Sequence, residues 1–408
     1  MTAAAAPLGR DLKVMGLVGA AHWASHFYQL VLPPLFLFLK DEFGVSFAAL
    51  GLLTTLLYGS SGLAQTVAGF AVDRFGARRV LLSGLTLAAV STLAFGLVEA
   101  YWLLLPLSVL AGLGNSVFHP ADLAILTSKV SEGRLGRGYA SHALCGNLGW
   151  AAAPLLMLGL AQLWDWRVAV ICAGLMGLVI VAAFLIWGAD LADDMARPPR
   201  PAGGGRLGSL ASSIRLLFSA TIVSCFLYFA FLAAALIGVQ NFGIPAMIDM
   251  YGVSLVQATA AVTWFLVGAA TGILIGGFAA DRTSRHDLIA MGGMLASALL
   301  MLYVAFGTMP AALLALILAA SGAASGITTP SRDMLVRAAA PKGASGRVFG
   351  FVYSGLDLGS SMVPLALGWV LDRGRPEVVF HSVAIFLFIT ILTVLQVRRQ
   401  VRPKPAMS

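Results

Sequence analysis

The chain has 408 residues, of which 59% are hydrophobic and only 11% are charged, and its mean hydropathy is +0.90. Soluble domains have about 45–50% apolar and about 25% charged residues, so most of this surface must face lipid, which excludes a soluble enzyme. A formal net charge of +8 would suggest nucleic acid in a soluble protein. In a membrane protein, the loops that carry the basic residues indicate the orientation of the chain in the membrane.

Apolar stretches long enough to cross a bilayer recur from end to end. A hydrophilic stretch at 189–213 with a Pro-rich run and consecutive glycines is typical of a flexible linker. We therefore predict an all-α membrane protein with an N-terminal six-helix bundle at 1–188, a linker at 189–213 and a C-terminal six-helix bundle at 214–408. The twelve predicted helices lie at 14–38, 47–72, 80–98, 102–128, 138–163, 166–188, 214–241, 254–280, 287–307, 310–338, 346–371 and 378–398.

Lysine and arginine are concentrated in alternate loops. Apart from Arg332, which lies within a predicted span, only Lys40, Arg167, Arg373 and Arg375 fall on the other side. Because cytoplasmic loops carry the excess of basic residues, we predict a multi-pass protein of the bacterial inner membrane with both termini in the cytoplasm. The basic charge then reflects orientation, and nucleic acid is not expected as a partner.

The two halves of the chain repeat each other, which is typical of secondary transporters. Residues of the first half recur about 210 positions later in the same order. The matches include Gly44-Val45-Ser46 with Gly252-Val253-Ser254, Asp73-Arg74 with Asp281-Arg282, Pro120 with Pro330, Gly149 with Gly359 and Pro154 with Pro364.

The loop after the second predicted helix reads GFAVDRFGARR, and the loop after the eighth echoes it as GFAADRTSR. The first loop resembles the signature of the major facilitator superfamily, whose fold has two pseudo-symmetric six-helix bundles. The resemblance implies that Asp73, Arg74 and, in the second copy, Asp281 belong to cytoplasmic gates that act while the two halves rock. The alternative is a basic loop that only sets topology.

A narrower resemblance lies in AHWASHFYQLVLPP of the first helix and GLGNSVFHPADLA of the fourth. Both are similar to the fosmidomycin-resistance branch of the superfamily, although Ala121 stands where an acidic residue is expected and Asp122 follows it. The resemblance implies proton-driven export of a small, often anionic molecule, and a monomer, without fixing the substrate.

Ionisable side chains at membrane depth are costly and normally face a cavity or a partner. His22 lies about 12 Å from the start of its helix and His119 about 13 Å from the end of its own, so they can share one depth, and His26 lies on the same helical face as His22. We predict substrate contacts for these three histidines, against the alternative of hydrogen bonds to backbone. Metal sites need three or four converging ligands, and with only these histidines and Asp122 available we predict no metal.

Asp122 and Arg332 occupy equivalent positions of the two repeats and carry opposite charges. We predict that they form an ion pair between the halves that breaks during transport. Two alternatives stay open: Arg332 pairs with its neighbour Asp333, or Arg332 binds an anionic substrate.

Asp357, a lone acid in the eleventh predicted helix, is a candidate proton carrier, against the alternative of a structural hydrogen bond. Other polar residues are substrate-binding candidates by depth alone, and each of them can equally belong to the core. They are Tyr28, Gln29, Gln240, Asn241 and Tyr353.

None of the five lysines lies in an ATP-binding Gly-x-x-x-x-Gly-Lys run, and no nucleophile elbow is present, so an enzyme is not expected. We predict a secondary transporter that uses the proton gradient, needs no cofactor and exports a small organic or drug-like molecule by alternating access. The alternatives are a proton-coupled importer of a small organic anion or metal chelate and, from another class, a transport-dead receptor or scaffold.

Overall fold

The computed structural model describes residues 7–191, 215–339 and 345–401, and nearly all of them are helical. Ten helical segments of these residues are long and apolar enough to cross a membrane, so the protein is an all-α, multi-pass membrane protein as predicted. The helices are α1 (Leu8–Gln29), α2 (Phe36–Phe43), α3 (Phe47–Phe75), α4 (Ala77–Phe95), α5 (Tyr101–Asn115), α6 (Phe118–Lys129), α7 (Leu135–Leu163), α8 (Trp166–Trp187), α9 (Ala220–Tyr251), α10 (Leu255–Asp281), α11 (His286–Ala305), α12 (Leu314–Ala339), α13 (Ser345–Leu371) and α14 (Glu377–Val401).

Two predicted spans are each divided into two helices. The span at 14–38 becomes α1 and α2, because Pro33 and Pro34 lack the N–H groups that would continue α1 and form a 3-10 turn instead. The span at 102–128 becomes α5 and α6, which a turn at 116–117 separates. Pro120 fits there because it lies in the first turn of α6, where backbone N–H groups have no helical partner.

The predicted C-terminal end of the seventh span is wrong. The predicted end is residue 241, but α9 runs from Ala220 to Tyr251 and contains Pro245. The residues that follow Asn241 are apolar and buried, so packing holds the helix together past the proline. The helix ends at Gly252, whose φ of +60° suits glycine.

The chain folds into two compact units. Unit 1 consists of Met1–Met195 and Pro364–Asp372, and unit 2 of Ala196–Val363 and Arg373–Ser408. Nearly all of the predicted linker at 189–213 lies outside the described residues, which resume at 215.

In unit 1, α1 packs against α6 and α7, α4 against α5 and α8, and α3 against α5. The segment Pro364–Asp372 belongs to this unit because it holds the start of α3. The Asp372 carboxylate accepts hydrogen bonds from the backbone N–H groups of Phe47 (2.8 Å) and Ala48 (2.9 Å). These N–H groups have no partner within the helix, so Asp372 supplies the missing acceptor and a favourable charge at the helix N-terminus.

In unit 2, α10 packs against α12, α9 against α14, and α11 against α12 and α14. The α10–α12 contact is lined by glycines from both helices, and a Cβ atom on any of them would overlap a backbone carbonyl of the other helix. Small residues of this kind allow two membrane helices to approach closely. The glycines are Gly268, Gly272 and Gly276 of α10 and Gly322 and Gly326 of α12.

The predicted repeat is visible in the packing of two equivalent glycines. Gly149 of α7 lies against the carbonyl of Trp23 in α1, and Gly359 of α13 lies against the carbonyl of Ala230 in α9. The same close helix contact therefore occurs once in each unit.

Candidate functional site

Five ionisable side chains from three helices of unit 1 form one group, which we call the histidine cluster. It consists of His22 and His26 of α1, His119 and Asp122 of α6, and His142 of α7. His22 lies at its centre, with ring centroids 3.4 Å from His142, 4.5 Å from His26 and 5.3 Å from His119. The Asp122 side chain is fully buried, and His22 is 2% exposed. The cluster is thus a dense set of ionisable groups inside a membrane unit.

The carboxylate of Asp122 accepts hydrogen bonds from two histidines of the cluster. Its Oδ2 lies 3.1 Å from Nδ1 of His22 and 3.2 Å from Nε2 of His142, so each of these nitrogens donates to the carboxylate. When Nδ1 of a neutral imidazole carries the proton, Nε2 is left with a free lone pair. Asp122 therefore orients His22 and leaves its Nε2 available as an acceptor.

The local sequence explains why these side chains meet. His22 and His26 are four residues apart and lie on one face of α1. Two glycines let α7 approach that face. Gly149 lies against the backbone of Trp23, and a Cβ atom on Gly146 would lie only 2.9 Å from Nε2 of His22 and 2.9 Å from Nδ1 of His26. Both imidazole rings therefore pack directly against Gly146.

The structure brings together four residues that the sequence analysis singled out as ionisable groups at membrane depth, namely His22, His26, His119 and Asp122. His142 was not among the predicted site residues, because it lies close to the start of its helix. A signal was available, since His142 is one helical turn before Gly146 and so lies on the face that α7 presents to α1.

A hydrogen-bonded network extends the cluster along α1. Gln29 Oε1 accepts from the Trp150 indole (2.9 Å) and from the Tyr58 hydroxyl (3.2 Å), and Gln29 Nε2 donates to Asn115 Oδ1 (3.3 Å). The ring of Trp150 lies 4.2 Å from that of His26. Gln29, a predicted substrate-binding residue, therefore has protein partners for both ends of its amide.

Other substrate-binding candidates are also buried within their own units. Tyr28 is 6% exposed, and its hydroxyl donates to the carbonyl of Ala173 in α8, which is a packing role. Gln240 and Asn241 are 4% and 1% exposed. Their assignment as substrate contacts stays a prediction.

Arg332 of α12 has partners within unit 2. Its Nε donates to Asp333 Oδ1 at 2.9 Å, and its guanidinium lies 4.2 Å from the ring centre of Phe229 and 5.9 Å from that of Tyr353. Asp122 is likewise engaged by two histidines of unit 1. The structure thus contains the neighbour pair Arg332–Asp333, which is one of the two alternatives to an ion pair between the halves. The pair Asp122–Arg332 stays a prediction.

The predicted gate residues lie at helix ends. Asp73 and Arg74 are exposed in the last turn of α3, and the guanidinium of Arg74 lies over the ring of Phe75. Asp281 is exposed at the end of α10. Gly76, with φ of +89°, makes the tight turn into α4 that the GFAVDRFGARR motif encodes. A gating role for these residues stays a prediction.

Sequence reasoning missed one buried ion pair in unit 1. Asp11, which precedes the predicted span at 14–38, is fully buried and accepts hydrogen bonds from Arg134 Nη1 (2.6 Å) and from the backbone N–H of Ser131. Burial raises the pKa of Asp11, but the hydrogen bonds from Arg134 and Ser131 more than offset this and hold the pKa below its ordinary value of 3.8. The carboxylate ties the start of α1 to the segment before α7.

The low pKa of Asp11 predicts how Asp11→Asn responds to pH. A lowered folded-state pKa gives stability that is present above the unfolded pKa and lost as pH falls through the folded one. We expect the variant to melt below the parent at neutral pH and the difference to shrink below about pH 4. Thermal melting of the purified protein in detergent across this range measures it. Asp41→Asn, which changes an exposed carboxyl group, is the control, and a difference that grows towards low pH would contradict the role of the pair.

Comparison with known proteins decides the family. The sequence profile of the Major Facilitator Superfamily matches residues 18–239 and 226–407. The chain belongs to this superfamily. As a major facilitator protein it is a membrane transporter and not an enzyme, in agreement with the sequence prediction.

Individual relatives are distant but cover most of this major facilitator chain. The membrane sensor protein UhpC of Escherichia coli strain K12 is 27% identical over 88% of this chain and 85% of its own. The fosmidomycin resistance protein of the same strain is 24% identical over 93% and 92%. A crystal structure of a bacterial homologue of the human lysosomal transporter Spinster, inward-facing and occupied, has a TM-score of 0.76 at 15% identity, covering 98% of this chain and 100% of that one.

Proposed function

We propose that the protein exports a small organic molecule in exchange for protons. The observation that carries the coupling is Asp357, a carboxyl group in the middle of α13 for which the described residues provide no hydrogen bond or ion pair. An unpaired carboxylate at membrane depth is costly, so such a group suits a cycle in which it takes up a proton and releases it to water.

The relatives support export as the direction. The relative that matches over 93% of this chain is named a fosmidomycin resistance protein. A membrane transporter confers resistance to a drug by removing the drug from the cell. In this proposal the protein is a monomer in the bacterial inner membrane, with both termini in the cytoplasm, and the proton gradient is its energy source. An anionic group on the substrate would compete with Asp333 for Arg332.

The test begins by finding a ligand. Phosphonates including fosmidomycin, carboxylates and antibiotics are screened by thermal shift of the purified protein, because a ligand of the folded state raises its melting temperature. The best compound is then added to inside-out membrane vesicles that hold a proton gradient reported by a fluorescent dye. Proton-coupled export dissipates the gradient.

Asp357→Asn separates coupling from binding. We expect the variant to bind the compound with the parent's thermal shift and to leave the gradient as intact as vesicles without the protein, because an amide does not carry the proton. Asp249→Asn changes an exposed carboxyl of α9 and is the matched control, which keeps the parent's flux. If Asp357→Asn also keeps that flux, the assignment is wrong.

One relative supports a second candidate function. The UhpC protein, 27% identical over 88% of this chain, is named a membrane sensor, so a receptor that binds its ligand without moving it is the alternative. The same vesicles distinguish the cases. A sensor shows binding with no flux, whereas an importer moves protons and compound in the same direction.

A further inference from the structure

The histidine cluster holds more donor atoms in one place than the proposed transport cycle uses. One ring nitrogen each from His22, His26 and His119 lie within 4.8 Å of one another. Metal–nitrogen bonds to imidazole are about 2.0–2.1 Å, so ligand nitrogens in a tetrahedral site are about 3.4 Å apart. Side-chain rotations that contract the triangle by roughly 1.4 Å would place all three nitrogens around one ion.

Asp122 already has the position that a supporting carboxylate takes beside a metal-binding histidine. It accepts the Nδ1 proton of His22 at 3.1 Å, which leaves Nε2 of that ring free to bind. Histidines that bind metals almost always donate their other N–H to a carboxylate, a carbonyl or water, which fixes the ring and makes it a better ligand.

Two buried atoms of the cluster lack the partners that buried polar groups normally have. Oδ1 of Asp122 has no hydrogen bond among the described residues, and Nδ1 of His26 lies beside the Gly146 backbone without a hydrogen bond of acceptable geometry. Native proteins leave few such atoms, and a site for an ion is one of the recognised reasons. Gly146 lets α7 pack directly against these two rings, because a Cβ atom there would lie 2.9 Å from Nε2 of His22 and from Nδ1 of His26.

Contrary to the sequence prediction of no metal, we infer that unit 1 binds one divalent transition-metal ion through His22, His26 and His119, with Asp122 holding His22 in place. Imidazole ligands favour zinc, copper, iron and nickel, whereas magnesium and calcium require oxygen ligands. Three protein ligands leave a fourth position for water or a group of a bound molecule. Such a site is compatible with either direction of transport.

Cobalt titration tests the site directly. Tag-free protein in detergent is stripped with a chelator and titrated with Co²⁺, whose visible absorption reports imidazole ligands in a low-coordinate site. We expect a band that saturates at one equivalent per chain, is removed by Zn²⁺ and is unaffected by Mg²⁺. If the parent protein develops no saturable band, no such site exists.

Variants identify the ligands. We expect His26→Gln and His119→Gln to weaken cobalt binding at least tenfold, and Asp122→Asn to weaken it about 10–100-fold through the loss of its support to His22. His381→Gln, which changes a histidine of α14 outside the cluster, is the matched control and binds as the parent does. Equal affinity of His26→Gln and His381→Gln would show that the metal binds elsewhere.

A variant outside the ligand set tests the site in case the histidine variants misfold. Gly146→Ala keeps every ligand but places a methyl group 2.9 Å from Nε2 of His22 and Nδ1 of His26, so it should also lower the affinity. Each variant is melted without metal and with Zn²⁺. The site is supported if a variant melts like the parent without metal but shows no rise in melting temperature with Zn²⁺. A rise as large as the parent's would overturn the proposed site. These readouts need no transport, so the metal site and the proposed export fail separately.

Discussion

Gly272→Val is expected to cause a large loss of stability, because it forces apart two helices of unit 2. Gly272 of α10 lies against the carbonyl of Ala323 in α12, and its neighbours along the contact meet backbone in the same way. A Cβ atom cannot fit without separating the helices, and backbone cannot move aside as a flexible side chain does. Inserting atoms into a packed contact typically costs about 1–3 kcal/mol, and we expect at least the upper end of that range.

The control for this substitution lies on the same helix. Gly277 has no atom within 4 Å of the position where a Cβ would lie. Gly277→Val introduces the same β-branched residue into α10, so it changes intrinsic helix propensity equally without touching α12. We expect Gly277→Val to melt close to the parent in detergent and Gly272→Val to melt far below it or not to accumulate. Similar melting temperatures for the two variants would contradict the tight α10–α12 contact.

Asp122→Leu is also expected to destabilise the protein strongly, because it removes a buried hydrogen-bond acceptor. The substitution removes the acceptor of His22 and His142 and leaves two buried N–H groups without a partner. Each unsatisfied buried donor costs about 1–3 kcal/mol. The loss should be visible as a fall in melting temperature at neutral pH.

Replacing the polar partners together should reverse that loss. In the triple variant Asp122→Leu, His22→Leu, His142→Leu, the two donors that Asp122 accepted are removed together with it, and apolar replacement of a buried polar set is often neutral or stabilising. We expect it to recover most of the parent's melting temperature while failing to bind cobalt. That pair of results would mean that the cluster is kept for binding and not for stability. A triple variant no more stable than Asp122→Leu would show instead that the polar set organises the unit.

The fold was largely predictable because its main determinant is simple. Apolar stretches of membrane length, basic residues in alternate loops and the repeat of glycines and prolines together predicted an all-α membrane protein with internal symmetry. The errors have local causes. Pro33 and Pro34 break a stretch that is apolar throughout, and α9 continues past Asn241 because the following turns are buried, which depends on neighbours that a hydropathy pattern does not contain.

The candidate site was predictable only in part. His22, His26, His119 and Asp122 are conspicuous because ionisable residues are rare at membrane depth. Other buried ionisable residues of unit 1 are harder to recognise in the sequence. Asp11 resembles an ordinary surface acid at the start of a helix, and its partner Arg134 lies far along the chain, so only the folded structure reveals that it is buried.

The polarity of α1 has a consequence for how the chain enters the membrane. Among the described residues, α1 is not one of the ten segments apolar enough to cross a bilayer by composition, and it packs mainly against α7, which ends at Leu163. At about 5–20 residues per second, roughly 7–27 s of synthesis separate the ends of the two helices. We therefore expect α1 to insert weakly when it leaves the ribosome. It should take a stable transmembrane position only after α7 has been synthesised and packs against it.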